Sequence, residues 1–196
     1  MKKLQELKKH LRPGQVYRRK DLAKWSSSVD RHLKELVDAG DLLKLAGGLY
    51  ACPKQTAFGA APPTDEKLVA AFLNDDNFLL TSLNDYNALS VGTTQLYNET
   101  LVYNRKRHGT FTLDGQRFRF LLRPYFPKKL SREFLLVDVV NNLNRLMEDH
   151  ERVLRGVKNR ALEMDTASLL RAAHKYGTVR AKNFFDALLG EQYHAA

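Results

Sequence analysis

The sequence predicts an α+β protein, with an N-terminal winged helix-turn-helix and a larger mixed α/β domain carrying a basic β-hairpin and C-terminal helices. Three observations predict it. Residues 16–51 run in the order helix, serine turn, helix, apolar hairpin. Asp114-Gly115 divides two strand-like stretches, FTL and QRFRFLLR. From Ser131 onward helical patterns prevail.

Taken in order, Leu4, Leu7 and Leu11 recur at three and four residues, giving an amphipathic helix from Lys2 to Leu11 closed by Pro13-Gly14. Val16 to Trp25 reads as a second helix, with Leu22, Ala23 and Trp25 on its apolar side. The triplet Ser26-Ser27-Ser28 then turns the chain into a third helix, Val29 to Asp38. Val29, Leu33, Leu36 and Val37 form its inner stripe, and Ser27, Arg31, Lys34, Glu35 and Asp38 the opposite face. Gly40 is the expected stop. Leu42 to Ala51 reads as the wing, turning at Gly47-Gly48. The aperiodic run CPKQTAFGAAPP follows, so residues 1–53 are assigned to the winged helix, 54–63 to a linker and 64–196 to the second domain.

In that second domain Thr64 caps a helix with Asp65 and Glu66 in its first turn and Leu68, Val69, Phe72 and Leu73 inside. A short helix over Tyr86–Leu89 ends near Gly92. Leu101–Tyr103 and Thr110–Arg123 read as strands, with Phe118, Phe120 and Leu122 on one face and Arg117, Arg119, Arg123 and Leu121 on the other. A long helix is expected from Ser131 to about Asp149. Its polar stripe Asp138, Asn141, Asn142, Arg145 suits a structural hydrogen-bond network better than a site. Helices near Thr166–Tyr176 and Val179–Leu189 complete the reading.

The formal charge of +10 is unevenly spread: net +7 over residues 1–55, −5 over 64–99, +8 over 100–132 and zero beyond. Two basic blocks around an acidic one imply two surfaces with different partners. With one cysteine, Cys52, no intrachain disulfide forms. No apolar run reaches the roughly 18–20 residues of a bilayer span and no signal-peptide core follows Met1. A cytoplasmic protein with no membrane partner is expected.

The winged helix supplies the candidate DNA-binding residues. Ser27, Ser28, Arg31 and Lys34 stand at the N-terminal end of the recognition helix, where Arg31 suits a guanine edge and the serines a phosphate or base edge. Arg18, Arg19, Lys20 and Lys44 would hold phosphates and so position the domain rather than specify sequence. Arg105, Lys106, Arg107, Arg117 and Arg119 form a second basic set suited to an anionic partner.

Catalytic signatures are scarce. The six histidines show no HxxxH or HExxH spacing, Cys52 has no CxxC partner, and neither GxSxG nor a glycine-rich phosphate loop occurs. After Gly92-Thr93, residues 95–110 hold a single carboxylate, Glu99, where two-metal nucleotidyl transfer needs a pair. No catalytic residue, metal or cofactor is therefore assigned.

Four stretches, GGLYACP (Gly47 to Pro53), YNALSVGTTQLYN (Tyr86 to Asn98), VYNRKRHGTF (Val102 to Phe111) and FPKKLSREFLLVDVVNNL (Phe126 to Leu143), resemble the AbiEi family, antitoxins of type IV toxin–antitoxin systems of phage abortive infection. The resemblance covers most of the chain. It implies a non-enzymatic repressor of its own operon that binds double-stranded promoter DNA through the winged helix. Its C-terminal part would counter a co-encoded nucleotidyltransferase toxin. One alternative stays open, an RNA- or nucleotide-acting enzyme that the winged helix merely delivers. A pocket gathering Asp85, Asn87, Asn104, Arg105 and His108 would favour it.

Overall fold

Leu4 and Leu7, one helical turn apart, seat α1 (Lys2–His10) on the N-terminal core, where Leu7 is fully buried and Leu11 packs just past the helix end. The computed structural model describes residues 2–194. They divide into two compact units: the chain up to Asn77 together with Thr110–Phe118, and Phe78–Gly109 together with the chain from Arg119 onward.

In the first unit α1 is followed by β1 (Val16–Arg18), α2 (Arg19–Leu22), a 3-10 turn (Ala23–Trp25) and α3 (Val29–Asp38). The wing is β2 (Leu43–Ala46) and β3 (Leu49–Ala51), and β1 joins it to make an antiparallel sheet in the order β1-β3-β2. Val16 pairs with Ala51 and Arg18 with Leu49. This corrects the expected helix over Val16–Trp25: its first three residues are a strand. Tyr17 holds them there, since its hydroxyl accepts from the Arg12 amide at 2.8 Å and donates to the His10 carbonyl at 3.2 Å. Leu22, Val29, Leu33, Leu36 and Leu42 close over Leu7.

The expected linker is also structured. Lys54–Thr56 (β4) and Gly59–Ala61 (β5) pair as a two-stranded antiparallel ribbon, Lys54 opposite Ala61 and Thr56 opposite Gly59. Helix α4 (Asp65–Leu73) begins at Thr64 as expected, its hydroxyl accepting from the Lys67 amide. Lys67 then donates to the Gly14 carbonyl at 2.8 Å, and the Asp114 amide donates to the Leu45 carbonyl at 2.9 Å. The compact unit that contains residues 1–53 thus runs on through α4 to Asn77 and takes in Thr110–Phe118.

The second unit starts with β6 (Leu79–Ser82), unmarked in the sequence, and a 3-10 helix (Leu83–Leu89) opened by a Ser82/Asp85 capping box. β7 (Thr100–Asn104), β8 (Gly109–Leu113) and β9 (Gln116–Leu122) join it in one sheet of order β6-β7-β9-β8, of which residues 110–118 belong to the first unit. Between β8 and β9, Asp114 and Gly115 both take positive φ (50° and 75°), as a tight hairpin turn requires. Leu121 is buried and Leu122 is 51% exposed, so the expected inward trio Phe118, Phe120, Leu122 loses its last member. Leu121 instead joins Leu101 and Tyr103 in the core under the helices.

Helix α5 (Arg132–Asn141) is buried along Phe134–Val140, as its all-round apolar sequence predicts. It stops at Asn142 rather than running to Asp149. A 3-10 turn (Leu143–Arg145) intervenes, and Asp149 caps a new helix, α6 (His150–Leu162), by accepting from the Arg152 amide at 2.7 Å. α7 (Thr166–Tyr176) and α8 (Val179–His194) follow.

Candidate nucleic-acid interface

Along α3 the inner residues Val29, His32, Leu33 and Leu36 are buried, while Asp30, Arg31, Lys34, Glu35 and Asp38 are exposed. The predicted recognition face is therefore open. Its N-terminal turn is built by a contact the sequence hides. Ser26 and His32 are both buried, with Oγ 2.7 Å from Nδ1, and the Ser26 oxygen also accepts from the Ser28 amide at 3.2 Å. This clamp fixes the serine turn without Ser27 or Ser28: the Ser28 hydroxyl makes no cap bond to its own helix. The Ser27 hydroxyl accepts from Lys3 at 2.9 Å. Lys3, from α1, thus adds a cation to the entrance of α3 that helical spacing within 16–51 could not indicate.

Arg31 reaches outward with its Nε 3.6 Å from a Glu35 oxygen and an Nη 3.4 Å from the His32 ring. An exposed pair of this kind is worth at most about 1 kcal/mol, so it orients Arg31 without holding it from a better partner. Lys20, Lys34 and Lys44 are exposed. Arg19 is committed differently. It forms a bidentate pair with Asp30, its Nε at 2.6 Å, which holds the Asp30 carboxyl below its ordinary range and raises the Arg19 guanidinium. The pair ties α2 to the first turn of α3.

Arg18 stands apart from these cations. Half-buried, it meets Asp21 at 2.6 and 2.9 Å, and this bond depresses the Asp21 carboxyl. Together they line a cleft of about 410 Å³ with Lys67, Asn74, Asp75 and Asp76. A phosphate there would face three carboxylates, so the cleft is a poor anion site.

Of the second basic set, Arg117 and Arg119 lie two residues apart on β9, and Arg105, Lys106 and Arg107 in the turn that follows β7. Arg119 is paired with Glu99 at 2.6 and 3.2 Å. Arg105 donates to the Pro124 carbonyl at 3.0 Å and lies 5.7 Å from the Phe126 ring centroid. Asn104 shapes the turn after β7, its side-chain Oδ1 accepting from the Lys106 and Arg107 amides at 2.8 and 2.7 Å. Arg105, Lys106, Arg107 and His108 are exposed around it, whereas Asn104 itself is buried.

Asp138 and Asn142 of the stripe sit in a buried hydrogen-bond network in which the Asn142 Oδ1 is left without a partner. Tyr86 and Tyr103 donate to one Asp138 oxygen at 2.8 and 2.7 Å, and the Asn142 amide donates to both phenolic oxygens. Asn141 donates to the other Asp138 oxygen at 3.4 Å and also bridges to the Tyr176 carbonyl and the Thr178 amide. Among the described residues no group of three or more His, Cys, Asp or Glu is placed to hold a metal ion. Nor, among them, is any helix long and apolar enough to cross a membrane.

Fold and open α3 face together define a winged-helix protein with an appended mixed α/β unit. No family model and no curated protein matches the chain. Its fold is similar to the crystal structure of the RV2827C protein from Mycobacterium tuberculosis, with a TM-score of 0.55 and 17% identity over 95% of this chain and 74% of that one. At that identity the likeness concerns the fold alone.

Proposed function

We propose that this protein is a sequence-specific, double-stranded DNA-binding repressor of its own operon and the antitoxin of a co-encoded nucleotidyltransferase toxin. The observation that carries the first half is the α3 surface: Arg31 and Lys34 exposed over a serine turn whose geometry is fixed from inside by Ser26 and His32. A rigid turn lets the N-terminal side chains of the helix meet base edges without ordering cost at binding. The antitoxin half rests on the resemblance to the AbiEi family and on the exposed cations at 105–107.

Selection of bound duplexes from a random-sequence library tests the first half. Wild-type protein is expected to enrich one sequence. Arg31→Ala should then lose about 1–3 kcal/mol on that duplex and little on a shuffled one. Lys44→Ala should weaken both alike and reduce the slope of log K against log salt by about 0.9. Equal losses on both duplexes for Arg31→Ala would remove Arg31 from base reading. For the second half, reversing Arg105, Lys106 and Arg107 to glutamate should abolish growth rescue from the toxin while the operator shift persists. Arg119 is left out because Glu99 already engages it.

A further inference from the structure

The β4–β5 ribbon ends in an aromatic ring with no packing role. Phe58 is wholly exposed at its tip. The tip is nonetheless ordered: Thr56 donates its hydroxyl to the Gly59 carbonyl at 2.7 Å and accepts from the Phe58 amide at 3.3 Å. Gly59 turns the chain with φ +103°, a conformation other residues rarely adopt. The base is tied as well, because the Gly14 amide donates to the Cys52 carbonyl at 2.7 Å, two residues before β4. Phe58 therefore buries nothing against the fold, and the ordered turn holds its ring out in solvent.

Its shape and charge select the occupant. With three pairs the ribbon is about 10 Å long. Ala57, Gly59, Ala60 and Ala61 carry nothing larger than a methyl, so it is slim. From Leu42 to Thr64, through wing and ribbon, there is no carboxylate, while Lys44 and Lys54 are both exposed. An apolar protein partner would not need so bare and carboxylate-free a stem. The phosphate-walled minor groove of DNA does, and β-ribbons or arms tipped by an apolar wedge enter it to unstack a base step.

We propose that the Phe58 ribbon is a minor-groove arm that wedges Phe58 between base pairs and bends the duplex held by α3. The inference rests on the DNA-binding reading above, with which it shares one structural unit.

The test uses full-length protein and the selected duplex, end-labelled for energy transfer and carrying 2-aminopurine at successive steps. Wild type is expected to bend the duplex by about 20–90° and to brighten 2-aminopurine at one flanking step. Phe58→Ala should bind about tenfold more weakly and leave the duplex straight, and Phe58→Leu should retain most of the bend. Arg31→Ala should bend whatever duplex it holds. If wild type binds a straight duplex, or Phe58→Ala bends it as wild type does, the arm is refuted and DNA binding stands. If Phe58→Ala halves the sedimenting mass, Phe58 joins two copies of the chain and the proposal fails. If wild type enriches no duplex, both readings fall together.

Discussion

Gly156→Ala is expected to lower the stability of the protein, although the same change in an exposed helix raises it by about 0.8–1 kcal/mol. Gly156 lies in mid-α6 where the helix crosses the 89–92 turn. A Cβ there would stand 2.5 Å from the Val91 carbonyl oxygen and 2.7 and 2.8 Å from its carbonyl carbon and Cα. These are backbone atoms and have little room to retreat. Val91 and Leu89 are buried, Ser90 has φ 56°, and Arg160 donates to the Leu89 carbonyl at 2.9 Å. Overpacking of this kind costs about 1–3 kcal/mol, which exceeds the propensity gain. For Gly156→Leu the excess volume is larger and a fall in Tm of about 6–12 °C is expected, at about 2–4 °C per kcal/mol. Gly190 in α8 is the control, because nothing lies within 4 Å of its Cβ position. Gly190→Ala should hold or raise Tm. Thermal denaturation followed by circular dichroism decides the matter, and a Gly156→Ala protein melting above wild type would show that α6 does not depend on this close approach.

Features set by nearest neighbours in sequence were readable: the stripes of α1 and α3, the Thr64 and Ser131 caps, and the Asp114-Gly115 turn. Each depends on residues at most four apart. What escaped depends on distant partners. Val16–Arg18 is too short to show a period and becomes a strand only because β3 offers it an edge. Leu79–Ser82 is likewise defined by its register against Thr100–Tyr103. α5 is shorter than its sequence suggests because Asn142, one more polar residue in the helical pattern, turns its amide inward to Tyr86 and Tyr103 where the helix ends. The same division holds at the interface. A helical wheel exposes Arg31 and Lys34, but the bonds Lys3–Ser27, Arg19–Asp30 and Arg119–Glu99 span 24, 11 and 20 residues and leave no local trace. They matter because they decide which of the predicted cations are already engaged within the fold.

Asp138→Ala is expected to be the more damaging of two changes at the buried network, and Asp138→Asn the more instructive. Alanine strips buried Tyr103 of the oxygen that accepts its hydroxyl and leaves buried Tyr86 only the Asp138 main-chain carbonyl at 3.2 Å. The unsatisfied Tyr103 hydroxyl costs about 1–3 kcal/mol, and the weakened bond of Tyr86 adds to it. Asparagine keeps one acceptor oxygen and should cost less. The difference between wild type and Asp138→Asn also carries a pH dependence whose direction the surroundings fix. Burial raises the Asp138 carboxyl above its ordinary 3.8, although bonds from Tyr103, Tyr86 and Asn141 and the charge of Arg123 pull it down. The folded state therefore holds this proton to higher pH than the unfolded chain does. Its contribution to stability is full below about pH 4 and is lost as pH rises through the folded-state value. Glu148 works in the opposite sense: despite burial, bonds from Tyr97 and the Gln95 and Thr94 amides lower it, so its contribution is present above its unfolded value and lost on acidification. Because both forms of the protein share Glu148, subtraction isolates Asp138. Urea unfolding at pH 4.5 and 7.5 should show the cost of Asp138→Asn shrinking as pH rises. A cost that grows with pH would mean that the two tyrosines hold an ionised carboxylate more strongly than burial opposes it.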